Sequence, residues 1–356
     1  MEVIDIKPLV IGDLIAKVPI IQGGMGVGVS RSSLAGAVAK AGGIGVLSCA
    51  HIGYDEDDFE TNTLNANLRA LKKHILKAKE NCVDGLVGVN IMVAIENYEL
   101  FVKEAINAGV DLIISGAGLP SKLPAFAKGS KVKIAPIVSS AKAANLILKM
   151  WDKKENATAD LIVVEGPKAG GHLGYNSESL QNIDDIDYDK EFQEILKIAK
   201  AYGDKYNMDI PVIAAGGISS SDDVKKYINL GASGVQIGTR FVATHECDAH
   251  DNFKMSYINS TEDNIKIVKS PVGLPGRAIR NTFIENVENN RPAITKCYNC
   301  LVPCNPKNTP YCISEALINA VKGDIDNGLL FCGSDAYKID KISSVKEVIE
   351  ELTSKL

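Results

Sequence analysis

The chain has 356 residues, 46% hydrophobic and 23% charged, with a net charge of −5, which suits one large α/β domain or a large domain with a smaller companion. Its lysines are scattered rather than gathered into a basic stripe, which argues against a nucleic-acid partner, and no apolar run reaches the roughly 20 residues of a membrane helix. The start, MEVIDIKPLV, has acids where a secretory signal needs a basic segment, so the expected location is cytoplasmic and the eight cysteines are expected to be thiols or metal ligands.

Continuous Ile/Val-rich runs predict strands at 19–25, 43–49, 85–93, 111–116, 132–139, 161–166, 211–217 and 234–241, as parallel strands covered on both faces require. Amphipathic stretches at 33–41, 67–80, 191–206 and 222–230 predict helices between them. Ser221-Asp-Asp reads as a helix start and Gly231 as a helix stop. Eight alternations over about 240 residues predict a (β/α)8 barrel ahead of a doubly wound sheet. The expected organisation is a barrel over 1–244, a loop-rich cap with a cysteine cluster over 245–319, and a C-terminal segment over 320–356 whose helix returns to the barrel.

Barrels build their sites at the C-terminal strand ends and commonly hold a phosphate beyond strands seven and eight. Here those ends read Ala214-Ala-Gly216-Gly217-Ile-Ser and Gly238-Thr239-Arg-Phe. Their glycines let backbone N–H groups approach an anion, Thr239 adds a hydroxyl, and the helix near Ser221 is expected to point its positive end the same way; the plainer alternative is a pair of tight turns. The first strand ends in Gln22-Gly23-Gly24-Met25, the third carries Asn90 among apolar neighbours, and the fourth ends in Ser115-Gly. A flat ring with a phosphate tail would use all of these, and a buried amide needs such a partner or a backbone one.

Pro19-Ile-Ile-Gln-Gly-Gly-Met, Gly88-Val-Asn, Ala169-Gly-Gly-His-Leu-Gly, Ala214-Ala-Gly-Gly-Ile and Val235-Gln-Ile-Gly-Thr-Arg-Phe, taken in this order, resemble the motif set of the nitronate monooxygenase (2-nitropropane dioxygenase) family. That family includes the flavin-dependent enoyl-acyl-carrier-protein reductases of FabK type. The resemblance implies a barrel holding FMN non-covalently, with Met25, Asn90, Gly216, Gly217, Gly238 and Thr239 at the cofactor and His172 as the catalytic histidine. Gln22, Gly23, Gly24, Ser115, Glu165, Gly170 and Gly171 complete the expected cofactor set. Family members often carry an acid where Lys168 stands, which bears on the substrate. A lone histidine is more often structural, but between Gly170, Gly171 and Gly174 it has room for a ring beside it and titrates near neutrality.

Cys297, Cys300, Cys304 and Cys312 have the spacing C-x2-C-x3-C-x7-C, which predicts a [4Fe–4S] cluster or, alternatively, zinc. Such a cluster departs from the usual family pattern. Cys49, Cys82 and Cys332 read as buried core residues. His245-Glu-Cys-Asp-Ala-His250 reads as a surface helix, Gly273–Arg280 as a loop able to bind an anion through its two arginines, and Asp55–Glu60 as a solvated acidic loop.

These features predict an FMN-dependent oxidoreductase acting on a small molecule and able to form a homodimer. The first reading is oxidation of an alkyl nitronate by O2 to a carbonyl compound and nitrite; the alternative is NAD(P)H-dependent reduction of an enoyl thioester. A non-catalytic redox sensor ranks third.

Overall fold

The computed structural model describes residues 6–356. A short hairpin, β1 (Leu9–Ile11) and β2 (Leu14–Ala16), precedes β3 (Ile20–Gln22), β4 (Ile44–Ser48), β5 (Leu86–Met92), β6 (Leu112–Gly116), β7 (Lys133–Val138) and β8 (Ile162–Glu165). A two-residue strand, β9 (Gly171–His172), stands apart. It is followed by β10 (Val212–Ala215), β11 (Gly234–Ile237), β12 (Ile265–Lys269) and β13 (Pro275–Ile279). Strands β3 to β8 with β10 and β11 pair in parallel and close into an eight-stranded barrel, β11 pairing back onto β3. All eight barrel strands fall within the segments expected from the apolar runs. The last run is cut short, because Thr239–Val242 turns into a helix instead of continuing the strand.

The strand pleat sends alternate residues to opposite faces, and both faces are apolar. Ile21, Ile44, Val46, Leu112, Ile114, Val163 and Ile213 fill the barrel interior together with Leu9 and Ile11 of the hairpin. Leu47, Val87, Val89, Ile113 and Val164 face outward against Leu34, Ile75, Val102, Ile147 and Phe192 of the surrounding helices.

The helices start and stop for local reasons. Ser221–Leu230 begins with a reciprocal capping box between Ser220 and Asp223 and ends at left-handed Gly231, as the sequence predicts. The helix Ser32–Lys40 is capped from far along the chain instead. Asp248 accepts the N–H groups of Arg31 and Leu34 at 2.9 and 3.1 Å and of Ser33 at 3.2 Å. The segment 245–250 is therefore a capping element and not the expected surface helix, and Cys247 within it is buried. The helix Val345–Thr353 packs against Ser221–Leu230 and Ser32–Lys40. Among the described residues, no helix is long and apolar enough to cross a membrane.

Candidate active site

Two cavities meet above the C-terminal strand ends. The first, about 270 Å³, is lined by Gly23, Gly24, Met25, Asn90, Glu165, Lys168, Gly170, Gly171, Gly216, Gly217, Gly238 and Thr239 among others. The second, about 440 Å³, extends sideways over the segments 49–67, 92–101 and 296–317. Val27, Ala50, Met92, His172 and Leu317 line both, so the space is continuous with His172 at the junction.

Glycines at the strand ends supply the closest-packed part of the first cavity. Gly216 and Gly217 have φ of +92° and +71°, a left-handed pair that any Cβ would strain. A Cβ on Gly24 would lie 2.5 Å from the Asn90 Cβ, so chain and amide are already in closest contact. In the wall sits Gln236, whose buried Oε1 has no hydrogen-bond partner among the described residues. An orphaned buried acceptor is costly and marks the place of a donor from a ligand. Thr239 Oγ1 accepts the Gly333 N–H at 3.0 Å, which leaves its proton free to donate. The donor set thus fits a flat heteroaromatic ring with an imide-like N–H and an anionic tail.

Several expected site residues are used differently. Gln22 is buried, with Oε1 accepting the Val46 N–H at 3.1 Å and its amide nitrogen on the Gly23 carbonyl. Ser115 donates to the Ile91 carbonyl at 2.6 Å and bonds the Tyr98 hydroxyl. Both side chains hold the barrel wall together and neither lines the cavities. The N-terminus of Ser221–Leu230 is closed by its own box, with Asp223 accepting the N–H groups of Ser219 and Ser220, and does not offer the free positive end expected of it. Gln236 escaped notice although it shared Asn90's signal, a polar amide inside a β-branched strand.

His172 is positioned by elements that the sequence did not reveal. Gly171 and His172 form β9, which pairs antiparallel with β13 through Gly276↔His172 and Arg277↔Gly171, and β13 pairs with β12. The Gly273–Arg280 stretch, expected as an anion-binding loop, is mostly this strand. Its Arg277 is buried and donates to the Ala169 carbonyl, and Arg280 pairs with Glu285 and Glu288 at the surface. The imidazole Nε2 lies 2.6 Å from Ser270 Oγ, and Phe331 meets the ring edge-on at 4.9 Å. Burial pushes the His172 pKa down to about 4, so the ring is neutral at pH 7 rather than titrating there. Burial pushes Glu165 the other way, up to about 7; it accepts the Gly174 N–H at 3.3 Å. A neutral imidazole and a poised carboxyl at one cavity are the perturbed pair expected where protons move.

The second cavity owes its walls to the acidic loop and the cysteine segment. The Asp55–Glu60 loop is pinned rather than loosely solvated: Asp55 pairs with buried Arg31, Asp58 with Arg69, Glu56 with Lys73 and Glu60 with Lys296. Phe59 turns inward, stacks on Tyr298 at 5.6 Å and meets His51 edge-on. The expectation of an iron–sulfur cluster or zinc at Cys297, Cys300, Cys304 and Cys312 is not supported. Among the described residues, no three His, Cys, Asp or Glu side chains gather as a metal would need. Each thiol answers to its own neighbour instead: exposed Cys297 takes the Asn299 N–H, Cys300 meets Ser314, Cys304 meets Thr309, and Cys312 receives backbone N–H groups at the start of the helix Ile313–Val321. Cys49, Cys82 and Cys332 are buried, as expected.

The family model described as nitronate monooxygenase matches residues 7–355. A Mycobacterium tuberculosis protein, (3aS,4S,5R,7aS)-5-hydroxy-7a-methyl-1-oxo-octahydro-1H-indene-4-carboxyl-CoA dehydrogenase, is 26% identical over 94% of this chain and 91% of its own. A probable nitronate monooxygenase of Staphylococcus saprophyticus is 27% identical over 78% of this chain and 80% of its own. Among solved structures, FabK from Thermotoga maritima superposes with a TM-score of 0.72 at 27% identity, covering 94% of this chain and 91% of that one.

Proposed function

The chain belongs to the nitronate monooxygenase family, and from that footing we propose that it is an FMN-dependent oxidoreductase whose side chamber takes a neutral enoyl thioester. Membership makes it an oxidoreductase. Bound in the glycine-lined cavity, FMN would supply two-electron chemistry between a hydride donor and the substrate double bond. The residues present fit it. Gln236 Oε1 would accept the ring's imide N–H, Asn90 and Met25 would flank the ring, and the Gly216–Gly217 and Gly238–Thr239 ends would hold the phosphate. His172, neutral and fixed by Ser270, would hold or accept a proton at the junction of the two cavities. Phe331 shields one side of its ring from water.

The observation that carries the substrate class is the chamber. At about 440 Å³ it falls in the range of roughly 300–1,000 Å³ that encloses drug-sized ligands, far more than a small nitronate fills. Its charged lining is Glu60, Glu96 and Lys296, and the lysine is taken by Glu60. His51 and His172 are both held neutral by burial. Among the described residues a small anion finds no free cation there, whereas an uncharged acyl chain finds apolar walls from Val27, Leu64, Ile95 and Leu317. The carboxyl-CoA in the mycobacterial relative's name supports the same class. Nitronate oxidation is the second reading, favoured by Lys168, whose ammonium-bearing side chain lines the first cavity.

The test is anaerobic. The oxidised protein is mixed with NADH or NADPH, the flavin absorbance is followed, and crotonyl-pantetheine is then added. Bleaching followed by recovery supports the thioester reading. No bleaching by either nucleotide, with bleaching by propyl nitronate, replaces it with nitronate oxidation, and failure to bind FMN on reconstitution overturns both.

A further inference from the structure

Three chamber residues, Asn67, His51 and Ser314, are bonded in series, and the Gly53 N–H sets the direction in which the series runs. The Gly53 N–H donates to Asn67 Oδ1 at 2.9 Å. That leaves the Asn67 amide nitrogen on His51 Nδ1, at 3.4 Å. An amide nitrogen only donates, so Nδ1 accepts and the neutral ring carries its proton on Nε2. Nε2 lies 2.7 Å from Ser314 Oγ and donates to it. The serine oxygen therefore already accepts, and its own proton points onward. It meets the Cys300 thiol, and sulfur is a weak acceptor that a carbonyl oxygen outcompetes.

The chain is also held in place. His51 has φ of +43°, a conformation that persists in a non-glycine residue only when its surroundings over-determine it. Phe59 and Tyr298 brace the ring edge-on at 5.4 and 5.7 Å, and burial keeps it uncharged. Ser314 is 2% exposed, so water competes little for its proton. All three residues border the chamber.

We propose that Ser314 is the hydrogen-bond donor for the carbonyl oxygen of the neutral thioester, and that Asn67 and His51 are positioning residues that fix its polarity. The inference rests on the thioester reading and adds to it a chosen end of the chamber. It also carries a selectivity: the donor is uncharged, so a thioester or amide is preferred over a free carboxylate.

Asn67→Asp reverses the chain at almost constant shape. A carboxylate cannot donate to Nδ1; at alkaline pH it takes the ring proton there, Nε2 becomes an acceptor, and the Ser314 proton turns back toward it. The experiment uses the FMN-loaded enzyme with butyryl-pantetheine, a saturated thioester that binds without turnover, measured by calorimetry. Histidine ring-nitrogen NMR reports the His51 tautomer in the same samples. The expected result is a proton on Nε2 in the native enzyme and on Nδ1 in Asn67→Asp. Asn67→Asp and Ser314→Ala should both bind roughly three- to tenfold more weakly. A native ring protonated on Nδ1 overturns the proposal without any variant, and so does thioester binding that neither substitution changes. If the native enzyme does not bind butyryl-pantetheine at all, the substrate reading falls and this inference falls with it.

Discussion

The two cavities that meet at His172 are built by opposite means. The ring-sized cavity is founded on backbone: its glycines sit at the ends of strands whose positions are set by a repeating barrel, and side chains such as Met25, Asn90, Lys168 and Gln236 close round them. The chamber beside it is made of side chains, His51, Leu64, Asn67, Tyr298 and Ser314, drawn from segments up to 263 residues apart. The difference teaches where each kind of function resides. A cofactor common to a family is held by what the fold repeats, and a substrate particular to one member is held by what the loops add.

Replacing the residue at the junction tests the division most strongly. His172→Asn is expected to lower turnover by about 10²- to 10⁴-fold while FMN is retained, as steady-state kinetics and a flavin titration would show. Equal loss of FMN would mean that the histidine belongs to the backbone-built side. Phe59→Ala is expected to cost about 3–5 kcal/mol, because the ring is 2% exposed and holds the chamber wall against Tyr298. Urea unfolding would measure that cost. The substrate KM should rise and the FMN affinity should stay unchanged, and a matching fall in FMN affinity would erase the contrast.

Acid should weaken the molecule through its buried histidines. His51, His74 and His172 have pKa values lowered from 6.5 to about 4. As pH falls through 6.5 the unfolded chain binds protons that the folded one refuses, so stability declines between pH 6.5 and 4. The slope is up to about 1.4 kcal/mol per pH unit for each histidine. Glu165, raised from 4.5 to about 7, works in the other direction between pH 7 and 4.5, and so, above their usual carboxylate range, do Asp160 and Asp248, which burial also raises. Urea midpoints measured across this window should fall, and a flat profile would show that the chamber is wetter than its burial indicates. The smallest effect belongs to Cys297→Ser. The thiol is exposed, and its loss should change stability by less than about 0.5 kcal/mol and leave FMN binding unchanged; a large loss would reopen the question of what the four cysteines hold.

The barrel was legible because its strands are apolar runs at regular intervals, and the glycine-bearing cavity because glycines recur at their ends. Gln22 and Ser115 mark the limit of that reading, since their side chains bond within the barrel wall. Composition shows a polar residue at a strand end, but not whether its hydrogen bonds run into the wall or into the cavity. The chamber was hidden because it follows no period: His51 and Asn67 carry no spacing rule that links them to Ser314. Strands β12 and β13 were hidden by Gly273 and Pro275, which read as loop, so the support under His172 went unseen. The cysteine spacing was real, but spacing along a chain does not decide whether thiols gather closely enough for a metal, and among the described residues no three do.

The cap on the first helix has a consequence in time. Asp248 closes the end of Ser32–Lys40 from up to 217 residues further along the chain, and β11 must come back to β3 before the barrel has no open edge. On a ribosome adding about 5–20 residues per second, the earliest helix waits ten seconds or more, roughly, for the carboxylate that finishes it. Until then its first N–H groups and the flank of β3 are open to any other chain. Contacts of such long range also make for slow folding. The helix Ser32–Lys40 is therefore a part of the nascent chain in need of protection, although in the finished molecule Leu34, Ala35, Val38 and Ala39 are buried.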